Sequence, residues 1–161
     1  MISKMAMPEL LAIFDHAPVG IVFVREGLLQ HCNRRFCELS GYAEDEVCGQ
    51  RARVLYESEA EYERLRHWAR EALLAGDPFD AEIPMRRRDG SLIYCRLHAA
   101  AIDRDNPREG TVWIVEDLEE QTRIRDELWN AQRDLEATFA AANVGIVLIR
   151  GRRIVRAYPR L

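Results

Sequence analysis

Between residues 79 and 86, apolar Phe79, Ala81, Ile83 and Met85 alternate with Asp80, Glu82, Pro84 and Arg86. That is the period of two of a strand with one buried and one wet face. Asp89-Gly90 supplies the chemistry of a hairpin turn, and in the segment SLIYCRLHAAAI that follows, Ile93, Cys95, Leu97, Ala99 and Ala101 share a face. DRDNPREG reads as a turn. The next segment, TVWIVED, is apolar on both faces, which predicts a central strand with something packed on each side of the sheet. Near the N-terminus, GIVFV and LLQHC, joined across Arg25-Glu26-Gly27, read as another hairpin. The pattern predicts five strands, two early and three late.

The stretches around and between these strands change period. In PELLAIFDHAP, Leu10, Leu11 and Phe14 recur at helical spacing and Pro18 ends the helix, because the residue before proline avoids the α region. Asn33 is placed to cap a short helix over NRRFCELSG that Gly41 closes, and AEDEVCG repeats the scheme in miniature. Ser58 begins a longer helix with Tyr62, Leu65, Trp68 or Ala69, and Ala72 on one face, ending at Gly76. After the last strand, QTRIRDELWNAQRDLEATFAAAN has neither proline nor glycine and is rich in helix formers.

The start of the chain recurs near its end. Residues 10–36 align without a gap on residues 135–161, with ten of 27 positions identical, including Phe14/Phe139, Ala17/Ala142 and the VGIV block. This predicts one full unit followed by the opening of another, as in a piece of a modular protein.

Composition narrows the picture a little. With 48% apolar and 31% charged residues the usage is that of a globular domain. A net charge of −4 gives no electrostatic argument for a nucleic-acid or membrane partner, and neither is expected. No apolar run reaches membrane-spanning length and no signal-peptide pattern opens the chain, so a cytoplasmic location is expected. Four cysteines, Cys32, Cys37, Cys48 and Cys95, form no CxxC pair, which predicts reduced thiols and neither a disulfide framework nor a metal site. No phosphate loop, nucleophile motif or acid pair stands out, and no catalytic activity is expected.

Taken in order, the motifs resemble the PAS sensor family over residues 9 to about 120. N-x-x-F and E-L-x-G-Y (Asn33, Phe36, Glu38 to Tyr42), G-x-P-F with E (Gly76, Pro78, Phe79, Glu82), and R-x-D-G-S (Arg87 to Ser91) match its signatures. VEDLEEQ is similar to the closing D-I-T-E signature: Asp117 matches the aspartate and Glu120 the glutamate, while Glu119 replaces the threonine. The resemblance implies an α+β fold, a five-stranded antiparallel sheet with short helices on one face and flanking N-terminal and C-terminal linker helices. The domains expected are an N-terminal helix over 1–17, a PAS domain over 18–117, a linker helix and candidate coiled coil over 118–142, and the truncated start of a second PAS domain over 143–161.

The same resemblance bears on cofactors. Photosensing members carry G-x-N-C-R-F-L-Q, whose cysteine bonds to flavin; GQRARVLY lies in that register, with Ala52 at the cysteine and Arg51 at the asparagine. Without the thiol no adduct forms. Haem-binding members take a histidine about eleven residues before the glycine that ends the long helix. That position is Leu65, and His67, about 200° further round, points elsewhere. Many members have glycine where this chain has Trp113. Alternation puts Trp113 on one face with Thr111 and Val115, toward the pocket, where it is either plain core or one wall of a site for a small apolar or aromatic ligand with its indole N–H free to donate. As core it implies a small cavity. The candidate lining is Trp113, Val115, Cys95, Leu97, Leu65 and Ala52, around a small-molecule ligand and no cofactor; His98 and Tyr94 lie on the other face.

Ile124, Leu128, Ala131, Leu135, Thr138 and Ala142 recur at alternating spacings of four and three, a short heptad seam with Glu120, Arg125, Glu127 and Arg133 as flanking charges. It reads as a parallel dimer seam or as one amphipathic helix folded back on its own sheet. The family resemblance implies a sensory and dimerisation module of a bacterial-type signalling protein. Asp117 and Glu120 would form the junction to the helix, and a histidine kinase or a cyclic-dinucleotide cyclase or phosphodiesterase would lie downstream. The alternative is a redox or gas sensor holding haem or noncovalent flavin.

Overall fold

The computed structural model describes residues 6–106, 109–141, 146–150 and 153–158. The chain divides into two compact units, residues 1–119 and residues 120–161. In the first, α1 (Met7–His16) precedes the hairpin β1 (Gly20–Arg25) and β2 (Leu28–Cys32). Then come α2 (Arg34–Ser40), α3 (Glu44–Val47), a 3-10 turn over Ala52–Leu55, and α4 (Glu59–Leu74). Strands β3 (Phe79–Arg86), β4 (Leu92–Ala101) and β5 (Thr111–Asp117) follow, and α5 (Leu118–Ala141) begins directly after β5.

The five strands form one antiparallel sheet in the order β2-β1-β5-β4-β3. Strand β5, apolar on both faces over Val112 to Val115, is central, between the first and fourth strands, as that two-faced pattern demands. Its inner residue Val115 is buried, whereas Val112 and Ile114 on the outer face are half-covered. On that outer face the ring of Phe14 from α1 stacks on Phe23 with centroids 5.8 Å apart. The alternation of β3 and β4 holds: Phe79, Ala81, Met85, Ile93, Cys95, Leu97 and Ala99 are buried, while Tyr94 and His98 are exposed.

Local chemistry sets the element ends. The first hairpin turns through Glu26 and Gly27, both at positive φ (53° and 76°), the backbone of a type I′ turn. Asn33 accepts from the Phe36 N–H at the start of α2, Ser58 accepts from the Glu61 N–H at the start of α4, and Gly41 ends α2 at φ 76°. Asn33 is wholly buried and does more than cap. Its Oδ1 also accepts from the Ile21 N–H, and its Nδ2 donates to the carbonyls of Phe14 and Val19 at 2.8 and 3.0 Å. One side chain thus ties the end of α1, the start of β1 and the first turn of α2, with its amide fully satisfied. On α4 the buried face is Tyr62, Leu65, Ala69 and Leu73; Trp68, the alternative to Ala69, is exposed, and Ala72 is half-buried.

In the second unit, β6 (Ile146–Arg150) and β7 (Arg153–Tyr158) pair as a hairpin. Its register repeats the first one. Val147↔Ala157 matches Val22↔Cys32, Arg150↔Arg153 matches Arg25↔Leu28, and the register slips at the equivalent step, Leu148/Ile149 for Phe23/Val24.

Candidate functional site

A cavity of about 690 Å³ lies between the inner face of the sheet and α4. That is the size of a pocket for a drug-sized ligand. Its floor is Val22 and Val24 from β1, Leu97 from β4, and Thr111, Trp113 and Val115 from β5. Helix α4 roofs it with Tyr62, Leu65, Ala69 and Leu73, one helical stripe, and the 3-10 turn closes a side with Ala52, Leu55 and Tyr56. The lining is chiefly hydrocarbon and aromatic ring.

Polar groups are few and placed. The indole N–H of Trp113 donates to Thr111 Oγ1 at 2.9 Å, and that hydroxyl in turn reaches the Val24 carbonyl at 3.4 Å. Tyr56 and Tyr62 stand side by side, ring centroids 5.5 Å apart. Burial, with a smaller contribution from Tyr62, pushes the Tyr56 phenol above its usual range, so it stays a neutral donor. At the mouth lie Glu26, Arg66 and Arg70, all exposed; Arg66 pairs with Glu63 at 3.2 Å.

Leu65, Ala52, Leu97, Trp113 and Val115 all line this cavity, and Cys95, expected with them, does not. The register explains the difference. Cys95 pairs with Asp117, beyond Leu97↔Val115 and Ala99↔Trp113, so it sits in solid core at the far end of the strands. Burial there, with the nearby Asp117 carboxylate, pushes its thiol up to about 12. Two further expectations change. The indole N–H is not free, because Thr111 takes it, and the cavity is not small. The Trp113 ring packs tilted against Phe79, with centroids 5.7 Å apart. His67 is outside the cavity and pairs with Glu71 at 3.4 Å on the exposed face of α4, and Arg51 is exposed.

At the end of β5, Asp117 Oδ1 accepts from the Glu119 N–H at 2.9 Å, an N-terminal cap on α5. Glu120 follows within the first turn. Along α5, Ile124, Leu128 and Leu135 are 49%, 67% and 54% exposed, and Ala131 and Thr138 are exposed too. Ala142, the last position of the seam, lies outside the described residues.

Sequence spacing hid one grouping. Cys32 at the end of β2, Cys37 in α2 and Cys48 at the end of α3 converge: Sγ of Cys32 and Cys37 are 3.6 Å apart, and donor atoms of Cys32, Cys48 and Glu44 all lie within 4.8 Å of one another. Burial raises all three thiols above their ordinary range. Intervals of five and eleven residues resemble no metal motif, so nothing in the sequence pointed here.

A family model described as the PAS fold matches residues 9–118. Over 124 residues, 77% of this chain, the sequence is 34% identical to the sensor protein TdiS of Thauera aromatica; the match spans 23% of that protein's length. Among solved structures, the PAS domain of a LuxR-family transcriptional regulator from Burkholderia thailandensis, in complex with ethanol, superposes with a TM-score of 0.62. It is 30% identical and covers 67% of this chain and 96% of that one. A domain of a sensory box sensor histidine kinase/response regulator from Geobacter sulfurreducens superposes at 0.58 with 24% identity, over 68% of this chain and 92% of that one. A LOV protein of Rhodobacter sphaeroides does so at 0.58 with 22% identity, over 68% and 65%. The last two likenesses bear on the fold alone.

Proposed function

The chain belongs to the PAS family and carries a PAS sensor domain, and on that premise we propose that it senses a small apolar or aromatic molecule and passes its occupancy into α5. The observation that carries this reading is the cavity of about 690 Å³ whose floor includes Trp113 and Val115. Both are residues of β5, the strand that ends in Asp117, the cap of α5. A ligand pressing on β5 therefore acts on the strand that leads into the linker. Coupling of this kind is worth about 1 to 3 kcal/mol, set by how much better the ligand binds one state than the other.

The ligand in this reading is neither haem nor flavin, and the domain is not itself catalytic. Leu65 offers no axial ligand and Ala52 no thiol. Trp113 does not fill the space, and a cavity of about 690 Å³ would admit a planar ring system. That volume supports a second reading, a noncovalently held flavin or haem used as a redox or gas sensor. The wider protein is read as a cytoplasmic signalling homodimer paired along α5. Its hairpin β6–β7 opens a second PAS domain, and its output domain is a histidine kinase or a cyclic-dinucleotide cyclase or phosphodiesterase. Among the described residues no helix is long and apolar enough to cross a membrane.

An absorption spectrum of the purified protein, with mass spectrometry of an organic extract, tests this. The expected result is a colourless protein from which a small apolar or aromatic compound is recovered, and whose tryptophan fluorescence responds when that compound is returned. A Soret band or a flavin spectrum near one equivalent would replace it with the second reading.

A further inference from the structure

Cys32, Cys37 and Cys48 come from three different elements, yet their sulfurs and the Glu44 carboxylate gather together, and none of the four residues lines the cavity. We propose that Cys32, Cys37, Cys48 and Glu44 form a binding site for a zinc-class divalent cation, one that staples β2 to α2 and α3. With metal–sulfur bonds of about 2.3 Å, two thiolates on a tetrahedral ion lie about 3.8 Å apart. The free thiols of Cys32 and Cys37 already stand 3.6 Å apart, a separation that two ligands of one ion would share. Donor atoms of Cys32, Glu44 and Cys48 lie within 4.8 Å of one another, and Cys37 joins them through its contact with Cys32.

The chemistry of the donors selects the cation. Three thiolates favour a soft or borderline ion over calcium or magnesium, and a carboxylate oxygen is an accepted fourth zinc ligand. Local structure supplies the geometry. Glu44 begins α3 and Cys48 follows its last residue, four positions on, so both fall on the same side of that single turn. Cys37 lies in the first turn of α2, on the face of the Asn33 cap. Cys32 is the buried floor of the site; Cys37 and Cys48 are half-buried and Glu44 is exposed, which leaves an entry path from solvent. Burial keeps the unbound thiols protonated, so each thiol that coordinates releases its proton to solvent, and affinity rises with pH.

The test is titration of the fully reduced, metal-stripped protein with zinc against a chromophoric chelator, and with cobalt(II) as a spectroscopic probe. The expected result is one ion per chain, a thiolate-to-cobalt charge-transfer band, intense tetrahedral d–d absorption, and a rise in the thermal midpoint on adding zinc. Because Cys32→Ser puts a hydroxyl into the core, the solvent-facing variants decide. Cys48→Ser and Glu44→Gln should each weaken zinc at least tenfold while keeping the circular dichroism of the parent, and Cys95→Ala, outside the cluster and without a hydroxyl to bury, should bind as the parent does. A reduced protein that takes up no stoichiometric zinc, or equal affinity in the parent, Cys48→Ser and Glu44→Gln, would overturn the proposal. So would a protein whose cluster forms a Cys32–Cys37 disulfide in air and shows no affinity for zinc when reduced.

Discussion

The indole N–H of Trp113 donates to the hydroxyl of Thr111, two residues earlier on the same face of β5, at 2.9 Å. The strand thereby satisfies its own large polar group, and what the cavity meets is the ring rather than the donor. Phe79 backs that ring, and Trp68 meets Phe79 edge-on at 5.1 Å, so an aromatic relay runs from the cavity wall to the exposed face of α4.

Thr111→Val keeps the shape of the wall and removes the acceptor. Losing this half-buried hydrogen bond should destabilise the domain by about 0.5 to 1.5 kcal/mol, read as a lower urea midpoint with an unchanged slope. A midpoint equal to that of the parent would show that the hydroxyl does not hold the ring.

Asn33→Asp preserves the cap on α2 but turns the amide that serves the Phe14 and Val19 carbonyls into a carboxylate facing them. Each buried group left unpaired costs about 1 to 3 kcal/mol. The loss should show first in α1, as faster amide exchange over residues 7–16 while β4 and β5 stay protected. Uniform loss across the domain would place Asn33 in the global core instead.

Leu128 and Leu135 expose most of their hydrocarbon on α5 in the single chain. Burial of each against a partner is worth about 1.5 to 3 kcal/mol, so Leu128→Glu with Leu135→Glu should shift dimer to monomer by several decades in concentration. Light scattering reads the mass. An unchanged dimer would move the interface elsewhere, with exposed Leu10, Leu11 and Ile13 of α1 the next surface to test.

Asp117→Ala removes the acceptor for the Glu119 N–H. Loss of a helix cap costs about 1 kcal/mol, and hydrogen exchange should quicken over residues 118–135 but not in the sheet. Equal quickening in both would mean that Asp117 serves the stability of the whole domain.

Alkaline pH should weaken the fold. In the metal-free protein, burial raises the thiols of Cys32, Cys37, Cys48 and Cys95 above their unfolded value, the last to about 12. The folded state holds those protons more tightly, so the stabilisation is complete below the ordinary thiol pKa of about 8.5 and is lost as pH rises past it. Urea midpoints should be level near neutrality and fall above about pH 8.5, with a shallower fall in Cys95→Ala. A profile identical in parent and variant would remove Cys95 as a cause.

Whatever depends on neighbours in the chain was legible without the structure. Strand alternation in β3 and β4, the caps at Asn33 and Ser58, the stop at Gly41 and the central place of β5 are each set within a few residues, by backbone geometry and by which face must leave water. The repeat shows how far this reaches: sequence identity between the two hairpins carries over into one register and one slip. What depended on packing between distant segments was not legible. Alternation put Cys95 on the inner face, but only the offset between β4 and β5 decided that the cavity stops short of it. The pattern placed Trp113 inward, yet the volume beside it and the partner of its N–H rest on how Phe79 and Thr111 turn the ring. Cys32, Cys37 and Cys48 look unrelated along the chain because they come from a strand and two helices, and only the fold of those three elements brings their sulfurs together.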